Sequence, residues 1–82
     1  MKTFDCEIVD GVIINRFQGV PLVTILPDGR CLINTDNKRD AQTLEKMQQM
    51  LNDHNKKITI NGQKIRNSKG EWHDIVDGML IE

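Results

Sequence analysis

Four side chains in this sequence, Cys6, Cys31, His54 and His73, carry donor atoms suited to transition metals, and they are all the cysteines and histidines present. Structural zinc sites draw on ligand pairs a few residues apart. None of the four has a partner at that spacing, so no metal site is expected, and the cysteines read as small buried hydrophobes. His54 reads as the end of a helix and His73 as the solvent side of a strand. Ser68, the only serine, falls in a polar turn without the strand-to-helix elbow and oxyanion donors that activate a hydroxyl. Asp5, Glu7 and Asp10, or Asp74 and Asp77, lie close enough in sequence for acid–base or metal work. Their pattern is nevertheless that of a solvated strand face and two turns. With no glycine-rich phosphate loop either, the expectation is a protein that is not an enzyme and takes no cofactor.

Charge offers a different chemistry. Residues 56–69 contain Lys56, Lys57, Lys64, Arg66 and Lys69 and no acid, whereas 71–82 contain Glu71, Asp74, Asp77 and Glu82. Cations neutralise phosphates, amides reach base edges, and Trp72 is an aromatic that could stack on a base. The basic run is thus a candidate nucleic-acid site. The competing expectation is that the basic and acidic segments pair in one hairpin and cancel, with Trp72 turned into the core beside Ile65.

The whole chain sets the frame for these residues. Eighty-two residues with 38% hydrophobic and 28% charged content and a net charge of −1 suit one folded domain, 1–82, with a modest core. Two cysteines make a poor disulfide framework, which favours a reducing, cytoplasmic setting. The first residues lack the apolar stretch of an export signal, and no run approaches membrane-spanning length, so no membrane partner is expected.

The elements follow from periodicity and turns. Thr3 to Val9 alternates as a half-buried strand and meets Asp10-Gly11, a type I′ hairpin signal. That register sets Ile8 beside Ile13, Cys6 beside Asn15, Phe4 beside Phe17 and, on the other face, Asp5 beside Arg16. A second hairpin turns at Pro27-Asp28-Gly29 and pairs Ile25 with Cys31 and Val23 with Ile33, leaving Leu22, Thr24 and Leu32 on the opposite face. Pro21 favours a strand start or an edge. Asn37 to His54 is the one segment with helical spacing, through Ala41, Leu44, Met47, Leu51 and His54, with N-cap candidates in Thr35-Asp36-Asn37, Asp40 at N3 if Asn37 is the cap, and Glu45, Lys46, Gln49 and Asp53 facing solvent. Asn61-Gly62 signals another hairpin, pairing Ile60 with Gln63 and Ile58 with Ile65, and a four-residue loop after it sets Arg66 beside Glu71. The last run, Ile75-Val76, then Asp77-Gly78 and Met79-Leu80-Ile81, forms either one more short strand or a segment folded back against the helix.

The fold expected is α+β: a small antiparallel sheet of hairpins, open or closed into a partial barrel, packed by one central helix at about 37–54. The element order is similar to that of an OB-fold, where a helix separates the third and fourth strands of a small barrel. Fold alone assigns no function. With no catalytic constellation, apolar residues on both faces of the 20–35 hairpin and a strand edge open to a partner, the expected function is protein binding without chemistry. Inhibitors and adaptors of this size are often carried by phages and other mobile elements to block or redirect a host protein. The site expected is Leu22, Thr24 and Leu32 with the helix face Glu45, Lys46 and Gln49; a homodimer would bury the same surface. The alternative is nucleic-acid binding through Lys56, Lys57, Lys64, Arg66 and Lys69.

Overall fold

The computed structural model describes residues 4–82. Its elements are β1 (Phe4–Val9), β2 (Val12–Phe17), β3 (Val20–Ile25), β4 (Cys31–Ile33), α1 (Ala41–Asp53), β5 (Thr59–Asn61), β6 (Lys64–Arg66), β7 (Trp72–Asp74) and β8 (Met79–Ile81). The expected Thr3 start of the first strand lies outside the described residues. Two antiparallel sheets form, one ordered β1-β2-β3-β4-β8 and one ordered β5-β6-β7. The sheets do not close, so the α+β class holds and the barrel form does not. No helix among the described residues is long and apolar enough to cross a membrane.

The first four strands are a meander set by turn chemistry. Asp10 and Gly11 both take positive φ, as do Gln18 and Gly19 in the next turn, which is the pair of left-handed positions a tight two-residue hairpin requires. The β1–β2 register is the one expected, from Phe4 with Phe17 to Val9 with Val12. The third turn also follows its sequence: Gly29 N–H donates to Leu26 O, and Leu26 N–H to Arg30 O. Ile25 then pairs with Cys31 and Val23 with Ile33.

One irregularity redirects β3. Asn15 pairs with Val23 but Arg16 with Pro21, so Leu22 is an extra residue. Leu22 and Val23 are both buried in consequence, and Leu22, 1% exposed, leaves the outer face on which alternation had set it. The same bulge lets Pro21, which has no N–H to give, sit in a strand flanked on both sides.

The helix starts later than its sequence suggests. Asp40, not Asn37, is the N-cap, its side chain accepting Thr43 N–H at 2.8 Å. Asp36 and Asn37 both have positive φ and form a tight turn closed by Lys38 N–H to Thr35 O. A left-handed Asn37 cannot lead directly into a right-handed helix. The 13 residues of α1 make under four turns rather than five. Thr43, Leu44, Met47, Met50 and Leu51 are its buried face, whereas Ala41 is exposed. That face packs with Phe17, Val23, Ile25, Cys31 and Ile33 from the large sheet and with Ile58, Ile65, Ile75 and Ile81 from the tail.

Gln48 joins the helix to the small sheet. Its Oε1 accepts Ile60 N–H at 2.6 Å, and its Nε2 donates to Ile58 O at 2.9 Å, so one amide acts as a strand partner for β5. The β5–β6 hairpin pairs Ile60 with Ile65 and Asn61 with Lys64, not Ile60 with Gln63. Gly62 and Gln63 are therefore the loop, with positive φ at Gly62 alone, the type II′ arrangement. The following loop is one residue longer than expected, so Arg66 pairs with Trp72 instead of Glu71, and Ile65 with His73 instead of Trp72. Last, β8 joins β4, with Leu32 opposite Leu80 and Ile33 opposite Met79.

Candidate protein-binding surface

The two faces of the large sheet differ in what covers them. Phe4, Asn15, Phe17, Val23, Ile25, Cys31, Ile33 and Ile81 point toward the helix. The other face carries a row that crosses all five strands, Glu7, Ile14, Thr24, Leu32 and Leu80, read directly from successive registers. Beside it Val9 pairs with Val12. Val9 is 44% exposed and Leu80 47% exposed, and Val12, Ile14, Thr24 and Leu32 are half-buried. The helix packs on the opposite face, and at the β8 end Leu80 shares a groove with Asn67, Glu71 and His73. Apolar side chains left side by side on a sheet face are the usual mark of an interaction surface.

Of the six residues expected to form the protein-binding site, two belong to this face, Thr24 and Leu32. Leu22 is in the core through the bulge. Glu45, Lys46 and Gln49 project from α1, on the far side of the sheet, and do not join Thr24 and Leu32. Lys46 Nζ lies 5.2 Å from the Phe4 ring centre and 5.8 Å from that of Phe17, which themselves are 5.5 Å apart. It therefore caps the core edge by cation–π attraction. Sequence reasoning missed Val9, Val12, Ile14 and Leu80; the Val9–Val12 and Glu7–Ile14 pairings already implied by the first hairpin were the available signal for all but Leu80.

The rim at β1 is acidic but partly paired. Arg16 reaches Glu7 at 2.9 Å and Asp5 at 3.3 Å, and these two hydrogen bonds raise its already high pKa. The β1 strand is an open edge, exposed from Asp5 onward, with Ile8 70% exposed. Between β1 and α1 runs a groove of about 360 Å³ lined by Phe4, Cys6, Asn15, Gln49, Met50 and Asp53. At its base Asn15 Nδ2 donates to Val23 O and Asn15 Oδ1 faces His54 Nε2 at 3.1 Å. With the amide nitrogen committed, the oxygen must accept, which fixes the His54 proton on Nε2.

The basic residues are less available than their sequence suggests. Lys56 Nζ donates to Gly29 O at 2.9 Å, so it locks the third turn to the end of the helix. Lys64 is ion-paired with Asp74, whose carboxyl is held below its usual pKa first by that hydrogen bond and then by the charge of Lys64. The basic and acidic segments thus do meet in one hairpin, though through Lys64 and Asp74. The Arg66 guanidinium lies 5.6 Å from the Trp72 ring centre, and Trp72 is 48% exposed, on the surface and not in the core. Lys57 and Lys69 have no ion-pair partner among the described residues.

No protein-family model, curated protein or solved structure matches the chain. Its chemistry must be read from its own residues. No group of three His, Cys, Asp or Glu side chains suited to a metal occurs among the described residues. Cys6 is exposed and Cys31 buried. They sit on strands three steps apart in the sheet, roughly 14 Å at the usual strand spacing, beyond disulfide reach. Burial raises the Cys31 pKa, with Lys56 pulling weakly the other way, so this thiol stays protonated and inert.

Proposed function

We propose that the chain is a small non-enzymatic protein-binding module, an inhibitor or adaptor that works by covering or bridging another protein. One observation carries the reading: the outer face of the large sheet, from Val9 to Leu80, sets Val9, Val12, Ile14, Leu32 and Leu80 side by side and partly exposed, with no helix over them among the described residues. The acids Asp5 and Glu7 at its rim give a partner an orientation, since charge placed around an apolar patch selects register more than it adds affinity.

The test compares the wild-type chain with the Leu32→Asp/Leu80→Asp variant as bait in nuclease-treated lysate, after circular dichroism has shown that both fold. A protein captured by the first and lost with the second supports the module. Equal capture by both, or a chain that sediments as a dimer only in its wild-type form and captures nothing, overturns it.

A second reading, nucleic-acid binding through the 56–72 segment, has the Arg66–Trp72 stack in its favour, since a cation beside an exposed ring is a base-stacking platform. Against it, Lys56 and Lys64 already have partners. Titration of the single tryptophan with single-stranded oligonucleotide decides: quenching that weakens steeply with salt would favour nucleic acid, and unchanged emission favours protein.

A further inference from the structure

The turn that closes the first hairpin determines which backbone groups of β1 are spoken for. In a two-residue hairpin the carbonyl of the residue before the turn accepts from the N–H of the residue after it, here Val9 and Val12. Antiparallel pairs alternate between bonded and non-bonded. Val9, Glu7 and Asp5 therefore spend their N–H and C=O groups on β2, and those of Ile8, Cys6 and Phe4 point out from the sheet. Natural edges are guarded by charged side chains, lysine above all, by proline, a bulge or a covering loop. Six residues long, β1 has neither proline nor lysine, and the one register shift in this sheet lies between β2 and β3; its only guards are Asp5 and Glu7, which act against strands that bring like charge.

Charge says what fits there. On the outer side of the edge Asp5 and Glu7 share a single cation, Arg16, and on the inner side Asp53 lines the groove while Lys46 sits over Phe4; with Asp10 in the adjoining turn, carboxylates outnumber cations four to two. A second copy of β1 is a poor occupant. Antiparallel pairing centred on Cys6 sets Asp5 opposite Glu7 of the other copy, and a shift of two residues either way sets Glu7 opposite Glu7 or Asp5 opposite Asp5. Like charges directly opposite are destabilising. A strand with lysine or arginine at these positions turns the repulsion into attraction. Its alternate side chains would fall on the other face, beside Phe4, Cys6 and Ile8 and over the groove that reaches Met50.

We propose that the β1 edge binds an extended cationic peptide, alternating basic and apolar residues, by antiparallel strand addition. The inference rests on the protein-binding reading and names its partner. Backbone bonds to Phe4, Cys6 and Ile8 supply affinity, and the two side-chain rows supply specificity.

The experiment uses the full chain with two capped synthetic peptides, one alternating lysine with valine and one alternating glutamate with valine, read by amide exchange and chemical shift. The lysine peptide is expected to slow exchange at Phe4, Cys6 and Ile8, and the glutamate peptide to leave them unchanged. Cys6→Pro removes an outward N–H without costing β1 a bond to β2, and should weaken the lysine peptide about tenfold or more. Should that variant fail to fold, Asp5→Asn/Glu7→Gln is expected to weaken the peptide similarly. No protection with the lysine peptide, equal protection with both peptides, undiminished binding to a folded variant, or protection that grows with protein concentration alone would each overturn the proposal. If a captured protein is lost with Leu32→Asp/Leu80→Asp but retained with Cys6→Pro, the module stands and the edge site falls.

Discussion

The Asp77 carboxylate receives both the backbone N–H and the hydroxyl of Thr35, at 2.8 and 2.6 Å, across 42 residues of sequence. Its second oxygen accepts Asn37 N–H at 3.1 Å. One acid from the tail thus holds the turn that delivers the chain to α1. Burial alone would push its pKa up, but the Thr35 and Asn37 hydrogen bonds outweigh that and hold it below the usual value.

Asp77→Asn is therefore expected to destabilise the fold by about 1–2 kcal/mol at neutral pH, the cost of weakening partly solvated, charge-assisted hydrogen bonds. The sign with pH follows from the lowered pKa. Stability from Asp77 is fully present above the unfolded value of about 4 and is lost as pH falls through the folded one. Urea denaturation at neutral and acid pH should give a shallower acid loss for the variant than for the wild type.

Gln48→Ala removes the acceptor for Ile60 N–H and the donor to Ile58 O. The expected loss is about 1–2 kcal/mol. Hydrogen exchange should locate it, with the Ile60 amide speeding up more than the amides of β1–β4.

A thiol reagent should modify one cysteine per native chain. Cys6 is exposed on β1, while Cys31 is buried and its pKa raised, so Cys31 should react only as the chain unfolds. Peptide mapping of the early product identifies the site.

Leu80→Asp is expected to cost only about 1 kcal/mol, because nearly half of the side chain is already in water and only the rest, against Leu32, is lost. Leu22→Asp, two strands away, should prevent folding, since it buries an unpaired carboxylate in the core. Thermal denaturation of the pair separates the outer face from the core.

What was legible in the sequence was what local chemistry determines. Asp10-Gly11 and Pro27-Asp28-Gly29 pin their hairpins because their turns admit few alternatives, and the registers on either side follow. What was not legible came from distant partners. Nothing near Asn37 reveals that Asp77 will hold it left-handed and push the helix start to Ala41. Gln48, ten and twelve residues away from its partners, takes the Ile58–Ile60 backbone, and Ile60 pairs with Ile65 through a turn that Asn61-Gly62 does not announce. The candidate surface was half visible for the same reason. Thr24 and Leu32 followed from alternation, Leu22 was lost to a bulge signalled only by Pro21, and Leu80 needed the partner of β8.

That partner has a kinetic meaning. Strands β1 to β4 are joined by short turns, whereas the ladder between Ile33 and Met79 closes a loop that contains the helix and the small sheet. Closing so long a loop is the slow, non-local event in a fold otherwise built from short-range pairings. Without that ladder Cys31, Leu32 and Ile33 would form a second bare edge, so β8 is the strand that leaves β1 as one of only two edges of the large sheet.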